Sequence, residues 1–125
     1  MTDLAPLATA AATRLVAARQ TVAVSESSAG GLISAALLAI PGASAYFMGG
    51  GIIYTQGARR ALLGIADESV KGMRSSTEAY ALVCARTVRE KLGTTWGVAE
   101  TGATGPTGEG GTAAKRASPT DADHA

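Results

Sequence analysis

Hydroxyls, a carboxylate and glycines crowd into Ser25-Glu26-Ser27-Ser28-Ala29-Gly30-Gly31, between a β-branched apolar stretch and a longer apolar one. A turn of that kind, from strand into helix, gathers side-chain hydroxyls and free N–H groups at the end of a sheet. The helix start adds partial positive charge, which suits a phosphate or a developing oxyanion. Glycines there let a ligand come close to the backbone. The same pattern also describes an ordinary helix start capped by Ser27 or Ser28.

Two further runs offer matching chemistry. In Gly49-Gly50-Gly51-Ile52-Ile53-Tyr54-Thr55-Gln56-Gly57-Ala58-Arg59-Arg60, a tyrosine follows a strand-like stretch and can present its hydroxyl at the same sheet edge. Arg59 and Arg60 open a helical stretch and offer bidentate contacts to phosphate or carboxylate; a solvated basic turn is the plainer alternative. In Glu100-Thr101-Gly102-Ala103-Thr104-Gly105-Pro106-Thr107-Gly108, small and hydroxylated residues again follow a strand. Open α/β sheets bind ligands at the carboxyl ends of their strands, although a plain loop fits this run equally well.

Other chemistries are excluded by composition. His124 is the only histidine and closes a polar run, so a Ser–His–Asp or Cys–His mechanism has no base. Cys84 is the only cysteine, which rules out an intramolecular disulfide and a Cys-rich metal site. Its apolar-periodic surroundings mark it as a buried small hydrophobe. The net charge is +1 and the charges are scattered, so neither nucleic acid nor a membrane surface is indicated as a partner. No apolar stretch approaches the ~20 residues that span a bilayer, and no basic, apolar leader opens the chain. The expectation is a cytoplasmic protein without metal or cofactor.

The elements that must position these residues alternate. Leu4, Leu7, Ala8, Ala11, Leu15 and Ala18 recur at helical spacing, with Pro6 tolerable in the first turn. Residues 21–25 read as a strand, 32–40 as a buried helix stopped by Pro41-Gly42, and 52–55 as a second strand after a loop with Tyr46 and Phe47. One or two helical turns over 59–63 end at Gly64. Ser75 and Glu78 have capping-box spacing, and the helix they start carries Tyr80, Val83, Cys84, Val88 and Leu92 on one face. Residues 95–99 make a third strand. Strands alternating with helices predict an α/β layered fold. The stretch after Gly108 has no large apolar residue, so the expected organisation is one domain over 1–108 and a disordered polar tail over 109–125.

Taken in order, these segments resemble the C-terminal domain of the competence/damage-inducible protein CinA family. Glu26-Ser27-Ser28-Ala29-Gly30-Gly31 is similar to that family's Glu-Ser-Cys-Thr-Gly-Gly motif. Pro41-Gly42-Ala43-Ser44 resembles its Pro-Gly-Ser-Ser segment, and Tyr54-Thr55-Gln56-Gly57-Ala58-Arg59 its Tyr-Ser-Asn-Glu-Ala-Lys motif. Leu63-Gly64-Ile65 is similar to Leu-Gly-Val, and Thr101-Gly102-Ala103-Thr104-Gly105-Pro106 to Thr-Gly-Ile-Ala-Gly-Pro. The resemblance covers about residues 4–108. It implies a three-layer α/β/α sandwich that here lacks the family's last strands and helix. It further implies a homodimer, and metal-free hydrolysis of nicotinamide mononucleotide (NMN) to nicotinate mononucleotide and ammonia.

The same resemblance implies site residues. Ser27 would be the nucleophile, with Tyr54 and Arg59 beside it. Glu26, Ser28, Ala29, Gly30, Gly31, Thr101, Gly102, Thr104 and Gly105 would bind substrate, the N–H groups around 29–31 facing phosphate or oxyanion. Arg59 stands where the family has a lysine. A desolvated lysine can shed its proton and activate a hydroxyl, whereas an arginine stays protonated and can only hold an anion. Ser28 and Ala29 stand in place of Cys and Thr. These differences leave an inactive pyridine-nucleotide-binding or regulatory relative, or a non-functional fragment, as alternatives to an active amidohydrolase.

Overall fold

A computed structural model describes residues 4–102 and 112–117. Its centre is a four-stranded sheet in the order β2-β1-β3-β4, with β1 Val22–Glu26, β2 Phe47–Ile52, β3 Trp96–Gly102 and β4 Thr112–Ala117. β1 pairs in parallel with β2 and with β3, and β4 runs antiparallel to β3. Helices α1 (Leu4–Ala18) and α2 (Leu32–Leu38) cover one face, and α4 (Glu78–Leu92) covers the other. This is the expected three-layer α/β/α arrangement.

Strand alternation divides the core in two. Val22 and Val24 of β1, with Trp96 and Val98 of β3, meet Ala8, Ala12 and Leu37 on the α1/α2 side. Ala23 and Ala99 meet Ala81, Cys84, Ala85 and Val88 on the α4 side. Small side chains let α4 lie close on the sheet. At Gly97 of β3 the approach is tightest, since a Cβ there would lie 2.0 Å from the carbonyl oxygen of Ala85.

Four sequence expectations need correction. The second strand lies over Phe47–Ile52 and contains the glycine triplet, instead of following it over 52–55. Close packing of β2 on β1 explains the shift: a Cβ on Gly50 would sit 2.2 Å from the Val24 carbonyl oxygen, so only glycine fits that pairing. The α4 cap is Thr77, whose hydroxyl accepts from Tyr80 N, and not the Ser75–Glu78 box. The buried face of α4 is accordingly Ala81, Cys84, Ala85, Val88 and Arg89, leaving Leu92 exposed. Finally, residues 112–117 of the expected tail form β4, stabilised by pairing with Gly97–Gly102 of β3. Structure therefore continues past Gly108. Among the described residues no helix is long and apolar enough to cross a membrane.

Candidate active site

The described parts of the three chemistry-bearing segments leave the sheet at the carboxyl ends of the parallel strands. Glu26 of β1 pairs with Ile52 of β2, and Ser25 with Ala99 of β3. Ser27 therefore leaves β1 where Ile53 leaves β2, its neighbour Glu26 accepting from Ile53 N through the main-chain carbonyl at 2.6 Å. Thr101 and Gly102 end β3 beside them. Thr104 and Gly105 lie outside the described residues.

Two buried carboxylates organise the loop after β1. Glu26 is fully buried, and its Oε1 accepts from Gly31 N (3.2 Å) and Ile33 N (2.9 Å). Its Oε2 accepts from Ser34 N (2.8 Å) and Ser34 Oγ (2.6 Å). Strand alternation places this side chain on the α1/α2 face, directly under the start of α2, so Glu26 satisfies the donors of that helix. An unpaired buried carboxylate would cost several kcal/mol, and four donors offset that cost. Glu100, only 4% exposed, lies on the same face of β3. Its Oε1 accepts from Ser27 N (2.9 Å) and Ala29 N (2.9 Å), and its Oε2 from the Ser28 hydroxyl (2.5 Å).

These contacts correct the expected use of the loop. The N–H groups of Ala29 and Gly31 are taken by Glu100 and Glu26, and Gly30 N donates to Ser27 O at 3.1 Å. They are spent inside the fold and do not face a phosphate or oxyanion. Glu26 itself braces α2 instead of standing open to a ligand. Gly30 and Gly31 turn through the left-handed region (φ +64° and +104°), a conformation that glycine adopts without strain.

On the second segment, Thr55 caps the short helix α3 (Gln56–Ala58), which continues as a π-helical turn over Arg59–Leu63. Tyr54, 58% exposed, and Arg59, 4% exposed, line one polar cavity of ≈ 440 Å³ with Gln56, Asp67, Ser75 and Tyr80. Ser27 and Thr101 are not among its lining residues. The Arg59 guanidinium donates through Nε to Ile65 O (3.2 Å) and through Nη2 to Asp67. Arg60 Nη1 also donates to Asp67 (2.9 Å), and this bond leads the causes that hold the Asp67 carboxyl below its ordinary range. Behind the cavity, burial pushes the Cys84 thiol up to about 11, opposed by the positive charge of Arg59. Burial likewise raises the Tyr80 phenol.

Thr101 is buried, and its Oγ1 has no hydrogen-bond partner among the described residues. Such an orphan costs about 1–3 kcal/mol. The residue that sequence reasoning missed is Glu100. It stands in the third segment, but only the register of β3 against β1 reveals that its carboxylate closes the serine loop.

The fold and this rim define a three-layer α/β protein with a serine loop, a tyrosyl-arginyl cavity and a threonyl strand end at one sheet edge. The chain belongs to the CinA C-terminal domain family, whose model matches residues 4–116. A CinA-like protein of Gloeobacter violaceus is 40% identical over 109 residues, covering 87% of this chain and 25% of that protein. A putative competence-damage inducible protein of Desulforamulus reducens is 40% identical over 97 residues, 78% of this chain and 24% of that protein. The chain thus spans about a quarter of these relatives' length. Among solved structures, the competence/damage inducible protein CihA from Agrobacterium tumefaciens superposes with a TM-score of 0.85 at 29% identity, covering 94% of this chain and 75% of that one. A CinA superfamily protein from Enterobacter cloacae shares the fold (TM-score 0.78, 23% identity, 91% and 77% covered).

Proposed function

We propose that this chain is an NMN amidohydrolase-like protein, which binds nicotinamide mononucleotide at the carboxyl rim of its sheet and hydrolyses the carboxamide slowly. The observation that supports this reading is that the Ser27 loop, the stretch leading to Tyr54 and Arg59, and the strand carrying Thr101 all leave the sheet at the same end of β1, β2 and β3. In the reaction, Ser27 Oγ adds to the carboxamide carbon and its proton is relayed through solvent to the amide nitrogen. The C–N bond then breaks, ammonia leaves, and water cleaves the acyl-serine to give nicotinate mononucleotide and restore the serine hydroxyl. Arg59 cannot take the serine proton, because a guanidinium keeps its own at working pH.

Arg59's engagement with Ile65 and Asp67 favours a second reading, a relative that binds the pyridine nucleotide without chemistry. An ammonia-release assay on NMN separates the two. Slow release in the wild type, abolished by Ser27→Ala and raised by Arg59→Lys, is the outcome expected of the amidohydrolase reading. No release, with saturable heat on titrating NMN, leaves the binding reading. No release together with a flat titration of folded protein removes both.

A further inference from the structure

We propose that Glu100 is the positioning residue of the serine loop: its carboxylate commits Ser28 to the fold and leaves Ser27 as the hydroxyl available for chemistry. This rests on the reading above in taking Ser27 as the nucleophile. One carboxylate accepts three donors from three successive residues, Ser27 N, Ser28 Oγ and Ala29 N. That closes the loop into a ring pinned to β3. The Ser28 bond, at 2.5 Å, has the length of a charge-assisted O–H···O⁻ contact.

Direction matters as much as strength. Glu100 follows Trp96 and Val98 on the α1/α2 side of the sheet, so its carboxylate holds the Ser28 hydroxyl toward that layer. The polar cavity of Tyr54 and Arg59 includes Tyr80 of α4 and therefore opens on the opposite face. Ser28 is thus held away from it. Of the two adjacent serines, Ser27 gives Glu100 its N–H and not its hydroxyl. The backbone bond sets where Ser27 leaves the strand end, and Glu100 acts on the site through that placement.

A fluorophosphonate probe tests the assignment without depending on NMN, since an accessible seryl Oγ bonds to phosphorus, displaces fluoride and gives its proton to solvent, slowly where no side-chain base assists. Mass spectrometry then locates the label. The wild type, lacking a side-chain base, is expected to label slowly on long incubation, at Ser27 and not at Ser28. Glu100→Gln retains labelling at Ser27, because the amide oxygen still accepts both N–H groups and the amide N–H₂ donates to Ser28. Glu100→Ala frees the loop and lowers Ser27 labelling on the order of 100-fold, the scale of loss that a misplacement of about 1 Å produces. Label at Ser28 in the wild type, or no label at Ser27, overturns the proposal. So does a folded Glu100→Gln that loses Ser27 labelling, and this arm holds even where Glu100→Ala does not fold. A wild type that labels at Ser27 yet leaves NMN intact removes the amidohydrolase reading and supports the positioning role.

Discussion

Two buried carboxylates and one buried guanidinium dominate the rim, and each is held by the fold before any ligand arrives. Glu26 and Glu100 consume the loop's donors, and Asp67 consumes part of Arg59. Cys84 sits behind that guanidinium in the α4-side core, and its environment decides its chemistry. Burial moves the thiol from 9.0 to about 11, so at neutral pH the folded protein holds roughly 100-fold less thiolate than an unperturbed cysteine. Reaction with a disulfide reagent at pH 8 should therefore be slow in the native protein and fast after denaturation. Linkage has a definite sign here. The unfolded thiol ionises from about pH 9 while the folded one stays neutral, so stability falls as pH rises between 9 and about 11. Urea melts of the wild type and Cys84→Ala across that window check this: the wild type should lose stability with pH more steeply than the variant. Equal slopes would mean that the thiol ionises as readily inside the fold as outside it.

At the scale of elements, packing distances rank above propensity. Helix α4 rests on β3 at Gly97, where an added Cβ would meet the Ala85 carbonyl oxygen at 2.0 Å and Arg89 Cβ at 2.9 Å. Neither neighbour is the far end of a flexible side chain, so the helix itself must move. Gly97→Ala should cost about 1–3 kcal/mol, the range for overpacking a well-filled core, and denaturant midpoints with an unchanged m-value would show it. The same packing explains what was legible in the sequence. The strand cores 22–25 and 96–99 carry apolar side chains to both faces, and both were readable. β2 was misplaced by several residues because its Gly49-Gly50-Gly51 run has no strand propensity of its own; its identity comes from the closeness of β1. In α4, Ser75 and Glu78 matched a capping pattern, while Thr77 held the position from which a hydroxyl reaches Tyr80 N. That the three site segments leave the sheet at one end followed from each coming directly after a strand. Glu100's function did not, because it depends on which face of β3 the side chain takes and on a loop more than 70 residues away in the chain.

For the whole molecule, the least legible element carries a large structural duty. The stretch Thr-Ala-Ala-Lys-Arg-Ala has no large apolar side chain, and its strand identity comes from the chain it pairs with. β4 covers the outer edge of β3 along the full ladder Gly97–Gly102, and its fully buried Ala117 joins the core beneath α4. Arg116 lies over the Trp96 ring with 5.6 Å to its centroid, while Trp96 Nε1 donates to Gln20 Oε1 at 2.9 Å. One strand thus ties β3 and α4 together. A chain ending at residue 111 would bare the unpaired N–H and C=O groups of β3, a template for pairing with other chains. Size exclusion and circular dichroism on that truncated chain should show self-association and the loss of a cooperative melt. The Ser27 loop would suffer too, since Glu100 hangs from the strand left uncovered. A monomeric truncated chain that melts as the full chain does would show that α4 alone secures β3, and that the site needs nothing beyond Gly102.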